Sequence, residues 1–350
     1  MTVGAATLTG VVRVAALGDS LTEGLGDPTP GGGWRGWAAL LADGLVGGAV
    51  GGVAGPVVDL RNLAVSGALT RDVLERQLPQ ARSHRPQLAS VVVGVNDTLR
   101  ASFDAAEVAR NLDRTLAALA GDGALLLTAC LPDPGRMLGL PAPLARPLAR
   151  RMRHVNAVVH ALGERYGAVH VHVAEADWAD DPRMWSVDRL HPSERGHRAL
   201  AREFHTLLHP LLHPLLRARG LAAGAAPDAE PTGAAPGRGA QVWWMATRGS
   251  RWVLERCTDL LPDLLRLAAA EARSGDSRQL DLDAAVQTAA VLRELGVTQL
   301  GPTALLPTLL GATPAVVPIP GQPIRAARTQ STAGRCSFNS AQVSPSSALP

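Results

Sequence analysis

Val11-Val12-Arg13-Val14-Ala15-Ala16-Leu17 runs directly into Gly18-Asp19-Ser20-Leu21. The first seven residues are apolar and β-branched enough to read as a buried strand, and Gly-Asp-Ser then breaks the pattern. A serine on a sharp turn leaving a buried strand presents its hydroxyl at the end of a sheet. Substrate and a base can both reach it there.

Three further stretches supply what such a serine needs. Asn62-Leu63-Ala64-Val65-Ser66-Gly67 closes the run Val57-Val58-Asp59-Leu60, and Gly94-Val95-Asn96-Asp97 closes Ala89-Ser90-Val91-Val92-Val93. Asp188-Arg189-Leu190-His191-Pro192 lies far downstream. Acyl transfer requires a nucleophile, a base, a group that orients the base, and donors for the developing oxyanion. Ser20 offers the nucleophile and His191 the base. Asp188, three residues before His191, can accept from its Nδ1 and fix the tautomer. Gly67 offers a backbone N–H without Cβ obstruction, and Asn96 a side-chain amide.

These four blocks, in this order, resemble those of the SGNH/GDSL hydrolase family of GDSL-type esterases and lipases. The resemblance covers the chain to about residue 210. It implies a serine hydrolase, with Ser20, the backbone N–H of Gly67 and the Asn96 amide lining an oxyanion hole. No metal or organic cofactor is implied.

Strand and helix patterns alternate outward from the first block. Strands are predicted at 11–17, 57–63, 88–93, 123–129 and 168–173. Helices are predicted at 34–45, 70–79, 105–120, 144–165 and 193–208, with Val108, Leu112, Leu116 and Leu119 on one face of the third. Repeated β–α units with continuous apolar strands imply a three-layer α/β/α fold around a mainly parallel, flavodoxin-like sheet. Ser20, Gly67 and Asn96 then fall beyond the C-terminal ends of strands, the edge where open α/β sheets bind ligands. Loops 22–33, 131–143 and 174–187 are expected to wall the site.

Residues 1–216 read as the hydrolase domain, and 217–240, mostly Ala, Gly, Pro and Arg, as a linker. A helical extension follows over 241–300, with helices at 241–272, where Pro262 can interrupt or kink, and at 281–295. Beyond Gly301 the Pro-, Ser- and Thr-rich chain is expected to be disordered. Trp243, Trp244 and Trp252 suggest docking of 241–272 on the catalytic domain or self-association.

Composition narrows the alternatives. Aromatics make up 3% of the 350 residues, so core volume must come from Leu, Val and Ala. A net charge of +3 is too small to argue for nucleic acid. No apolar run is long enough to span a membrane, and no secretory signal is visible. Cys130, Cys257 and Cys336 are odd in number and far apart, which fits a reducing cytosol, hence a cytoplasmic protein.

Several patterns favour plain readings. His209 and His213 have helical ligand spacing, but each precedes a proline and no acidic residue lies between them. His170 and His172 alternate with valines and share one strand face, and His197 reads as a surface or packing residue. Arg146, Arg150, Arg151 and Arg153 read as a solvated helix face, Asp19 and Asp97 as organisers of their turns, and Asn62 as a turn amide. The reading is therefore a hydrolase of carboxylic esters or thioesters, acting on a small-molecule or lipid-like substrate through Ser20, His191 and Asp188. A binding module that retains the pocket, and partner recruitment through the C-terminal helix, are the alternatives.

Overall fold

The computed structural model describes residues 11–45, 57–186, 188–218, 221–231, 250–274 and 276–297. Five strands are described: β1 Val11–Gly18, β2 Val57–Asn62, β3 Leu88–Val92, β4 Leu125–Cys130 and β5 Val169–His172. All pair in parallel, in the order β2-β1-β3-β4-β5. This is the flavodoxin-like order, whose switch point lies between β1 and β3. Central β3 is Leu-Ala-Ser-Val-Val and buried throughout, as a strand covered on both faces must be. The edges carry polar residues instead, Asp59 and Arg61 on β2, His170 and His172 on β5.

The helices of the catalytic region are α1 Ser20–Glu23, α2 Gly36–Leu45, α3 Thr70–Asp72, α4 Leu78–His84, α5 Val95–Thr98, α6 Ala105–Gly121, α7 Pro134–Met137, α8 Ala142–Arg165 and α9 Glu194–Arg217. Packing separates the longer ones into two layers, α2 with α9, and α4 with α6 and α8. The apolar stripe of α6 is buried at Val108, Leu112, Leu116 and Leu119. Trp37 and Phe204 stack between α2 and α9, with ring centroids 4.9 Å apart.

Two elements depart from the sequence reading. The helix expected at 70–79 is broken by a π-helical turn, Val73–Gln77, before continuing to His84. Pro79 has no N–H for the carbonyl four residues back, and Leu78 N–H bonds to Val73 instead, five residues back. The helix expected to stop at 208 runs on to Arg217 through Pro210 and Pro214. Both prolines are exposed, so water can satisfy the carbonyls they leave unpaired.

The chain beyond α9 returns to the domain. Leu221 and Ala223, within the stretch read as linker, pack on the core, and Arg198 and Arg202 donate to the carbonyls of Asp228 and Pro227. Two helices follow, α10 Ser250–Ser274, which contains Pro262, and α11 Ser277–Glu294. Both pack on α8. Leu264 of α10 joins Leu99 and Leu148 in a small apolar cluster, and Ala285, Val291 and Leu292 of α11 enter the main core.

This packing corrects the reading of the α8 arginines as a solvated face. Arg151 pairs with Asp263 at 2.7 Å, Arg150 and Arg153 pair with Asp281 at 2.8 and 2.7 Å, and Arg150 also faces Glu271. Asp263 and Glu271 are buried by the contact. A charge face on one helix reads as solvated when the acids that neutralise it lie over a hundred residues away. Arg151 also donates to the carbonyls of Thr98 and Arg100, tying α10 to the chain just after Asn96. Asp263→Ala is expected to cost about 3 kcal/mol in chemical denaturation, because it strips the half-buried Arg151 guanidinium of its counter-charge. A change below about 0.5 kcal/mol would show that the pair contributes nothing.

The expectations for residues 241–249 and 301–350, for Trp243 and Trp244, for the Trp252 side chain, and for Cys257 and Cys336 fall outside the described residues and side chains. Among the described residues, no helix is long and apolar enough to cross a membrane. Cys130 is buried and unpaired with another cysteine.

Candidate active site

Ser20 is the first residue of α1, directly after the C-terminal end of β1. Gly18 makes that turn possible. At its φ of 155° a Cβ would lie 2.3 Å from the Val92 carbonyl oxygen on β3 and 2.8 Å from Thr22 Oγ1. Gln77, delivered by the π turn, holds the end of β1 through two bonds of 2.8 Å: it accepts from Gly18 N–H and donates to the Gly18 carbonyl. Asp19 caps α1 by accepting from Leu21 N–H at 3.1 Å. As the first residue of its turn, Ser20 has an N–H without an acceptor inside the helix.

His191 reaches Ser20 from the segment after β5. Its Nε2 lies 2.7 Å from Ser20 Oγ, and its Nδ1 lies 2.6 Å from Asp188 Oδ2. The other carboxylate oxygen of Asp188 accepts from Ser186 Oγ at 2.7 Å and from the N–H groups of Leu190 and His191 at 3.0 Å. Burial opposes ionisation of Asp188, but the bonds and charge of His191 outweigh it and hold the group at about 2. An ionised Asp188 accepts from Nδ1–H, which leaves Nε2 to accept from the serine hydroxyl. The loop itself is closed by Ser186 N–H to the His191 carbonyl and Ser193 N–H to the Met184 carbonyl, both at 2.8 Å. Ser193 caps α9, its side chain accepting from Gly196 N–H.

A second clamp holds this loop against the one after α1. Arg35 bonds Asp27 at 2.9 Å and Glu194, three residues after His191, at 2.8 Å. Gly26 permits the close approach, since a Cβ there would lie 1.9 Å from the Pro192 carbonyl oxygen. His197 is a buried packing residue. It receives Trp37 N–H on Nδ1 and donates from Nε2 to the Leu25 carbonyl, and burial lowers it to about 4.

Gly67 and Asn96 approach from the next two strands. Gly67 lies in an exposed turn at φ 81°. Its neighbours fix it: Ser66 donates to Glu23 of α1 through N–H at 2.7 Å and Oγ at 2.5 Å, and the Ala68 carbonyl accepts from Asn96 Nδ2 at 3.2 Å. Asn96 Nδ2 also lies 3.3 Å from Asp19 Oδ2, a longer and weaker contact. Asn62 holds the same region by donating to the Thr22 carbonyl at 2.8 Å. Asp97 accepts from both N–H and Oγ1 of Thr70. Burial raises Asp19 and Asp97 to about 6.

The residues named from sequence therefore converge from four segments onto the C-terminal edge of the sheet. Gln77, Glu23 and the Asp27–Arg35–Glu194 clamp were not legible. Each acts through a partner remote in sequence, and none carries a local pattern of its own. His209 and His213 stack on each other, with ring centroids 5.1 Å apart.

A family model described as "GDSL-like Lipase/Acylhydrolase family" matches residues 16–199, just over half of the 350-residue chain. The chain belongs to this family, and with it is an ester hydrolase of the esterase/lipase type. No curated protein matches it. Among solved structures it is similar to TesA, with 22% identity, TM-score 0.44, and 57% of this chain and 99% of that one covered. It is also similar to Axe2, an acetylxylan esterase from Geobacillus stearothermophilus, with 21% identity, TM-score 0.46 and coverages of 56% and 94%. A lipase/acylhydrolase from Enterococcus faecalis gives 18% identity, TM-score 0.44 and coverages of 57% and 95%.

Proposed function

We propose that this protein hydrolyses carboxylic esters through Ser20, His191 and Asp188, with an acyl-enzyme intermediate. The observation that carries the reading is the unbroken chain from Asp188 Oδ2 to His191 Nδ1, 2.6 Å, and from His191 Nε2 to Ser20 Oγ, 2.7 Å. Ser20 Oγ attacks the ester carbonyl as its proton passes to Nε2. Asp188 stabilises the imidazolium that forms. The imidazolium then protonates the departing alkoxide, and the alcohol leaves. Water, deprotonated by the same Nε2, attacks the acyl-enzyme and releases the carboxylic acid, which returns Ser20 to its starting state.

The Ser20 and Gly67 N–H groups and Asn96 Nδ2 form the oxyanion hole in this reading. Asn96 exchanges its weak contact with Asp19 for the developing oxyanion. Asn96→Ala is expected to lower kcat by about 10²–10³ with little change in KM, because the donor acts on charge that appears in the transition state. An effect confined to KM would assign Asn96 to substrate binding instead. The residues assigned to chemistry all lie within 1–216, the segment we take as the hydrolase domain.

Hydrolysis of a p-nitrophenyl ester series from acetyl to palmitoyl, with Ser20→Ala as control, tests the activity and reads the acyl length the site accepts. Turnover of at least one member that disappears in the variant supports the reading. Equal turnover in both proteins rejects it.

A further inference from the structure

Away from the serine, at the far edge of the sheet, the last residues of β4 and β5 pair directly, Cys130 with His172, and Thr128 pairs with His170 two residues earlier. The pleat puts all four side chains on one face. One ligand atom each from Cys130, His170 and His172 lies within 4.8 Å of the others. His160 of α8 closes over them, its ring centroid 5.1 Å from His170 and 5.2 Å from His172. We propose that Cys130, His170 and His172, with His160 on the fourth side, form a binding site for a divalent metal ion of zinc type.

Two further observations point to a ligand at this place. His170 Nδ1 bonds Thr128 Oγ1 at 2.9 Å, whereas His170 Nε2 is buried without a hydrogen-bond partner. Metal-binding histidines commonly have this arrangement, with one ring nitrogen held by an outer partner and the other presented to the ion. The surrounding charge is also suitable for a cation. Glu175 Oε2 lies 4.0 Å from His172 Nδ1, and Glu164 and Glu203 act on the imidazoles from α8 and α9.

One thiolate with three imidazoles is a tetrahedral donor set suited to zinc. Bonds of about 2.0–2.3 Å require ligand atoms about 3.5 Å apart, so the Cys130, His170 and His172 atoms close by about an ångström on binding, and His160 turns a ring nitrogen towards them to complete the site. On binding, the ion exchanges its waters for sulfur and nitrogen. The Cys130 S–H bond breaks, its proton passes to solvent, and no oxidation state changes. Burial pushes the free thiol up to about 12, and coordination overrides that by replacing the proton with a dication. Because β5 leads straight into the segment that carries Asp188 and His191, the ion would pin the origin of that segment. Sequence reading does not find this site: the strand pairing brings Cys130 and His172 together from 42 positions apart, as it does Thr128 and His170.

Titration of the full-length, metal-stripped protein with zinc chloride or cobalt(II) chloride tests the proposal independently of activity. The expected result is one ion bound per chain, with cobalt giving thiolate charge-transfer absorption in the near ultraviolet and the visible bands of a tetrahedral site. Cys130→Ser should abolish the charge-transfer band, and His170→Ala and His160→Ala should each weaken binding at least tenfold. His172→Ala, at the exposed edge, should do the same with the fold intact by circular dichroism, so the test survives if the buried variants fail to fold. His209→Ala/His213→Ala should bind as the parent does. Absence of stoichiometric binding, binding without the charge-transfer band, or binding unchanged in His172→Ala overturns the proposal.

Discussion

Ser20→Ala and His191→Ala are each expected to lower kcat by about 10⁴–10⁶, and the double variant to be hardly worse than either. The geometry behind this is the 2.7 Å contact between His191 Nε2 and Ser20 Oγ. The imidazole has no proton to take once the hydroxyl is gone, and the hydroxyl is a poor nucleophile once the imidazole is gone. Two groups that act only together give losses that do not multiply. Initial rates on a p-nitrophenyl ester for the four proteins measure this directly. Losses that multiply would mean that the two residues act in separate steps.

Asp188→Asn is expected to lower kcat by about 10⁴ while leaving KM and the fold nearly unchanged. Oδ1 of Asp188 accepts from Ser186 Oγ, Leu190 N–H and His191 N–H, so an asparagine must keep its oxygen there. Its NH₂ group then occupies the position 2.6 Å from His191 Nδ1. That forces Nδ1 to accept and moves the ring proton to Nε2, the wrong tautomer to receive the serine proton. The pH sign follows from the depressed pKa. An Asp188 held at about 2 is ionised throughout the working range, so it contributes stability above the ordinary carboxylate range and loses it as pH falls towards 2. Asp188→Asn should therefore flatten the acid side of the stability profile in urea melts taken from pH 7 to pH 3. A steeper profile in the variant would contradict this account.

The central strands were legible because parallel β-strands covered on both faces must be largely apolar, as the runs at 11–17, 88–93 and 123–129 are, whereas the edge runs at 57–63 and 168–173 alternate apolar and polar residues; all five match the observed strands to within two residues at each end. Ser20, Gly67, Asn96, Asp188 and His191 were legible as candidates because each lies in a short motif tied to a strand end or loop. What escaped the reading depends on pairs distant along the chain. The π turn at Val73–Gln77 places buried Gln77 on Gly18, 59 residues away, and nothing local announces that bond. The arginines of α8 are neutralised by Asp263, Glu271 and Asp281, whose own segment looks like an ordinary charged helix. The helix predicted at 193–208 runs on through Pro210 and Pro214 because an exposed carbonyl can bond to water.

The proposed mechanism turns on Ser20 as the nucleophile. Its most direct test is labelling of the full-length protein with a fluorophosphonate, followed by intact mass and peptide mapping. One adduct per chain is expected, on the peptide that carries Ser20, absent from Ser20→Ala and formed far more slowly in His191→Ala. An adduct on any other residue, or stoichiometric labelling of Ser20→Ala, would contradict it.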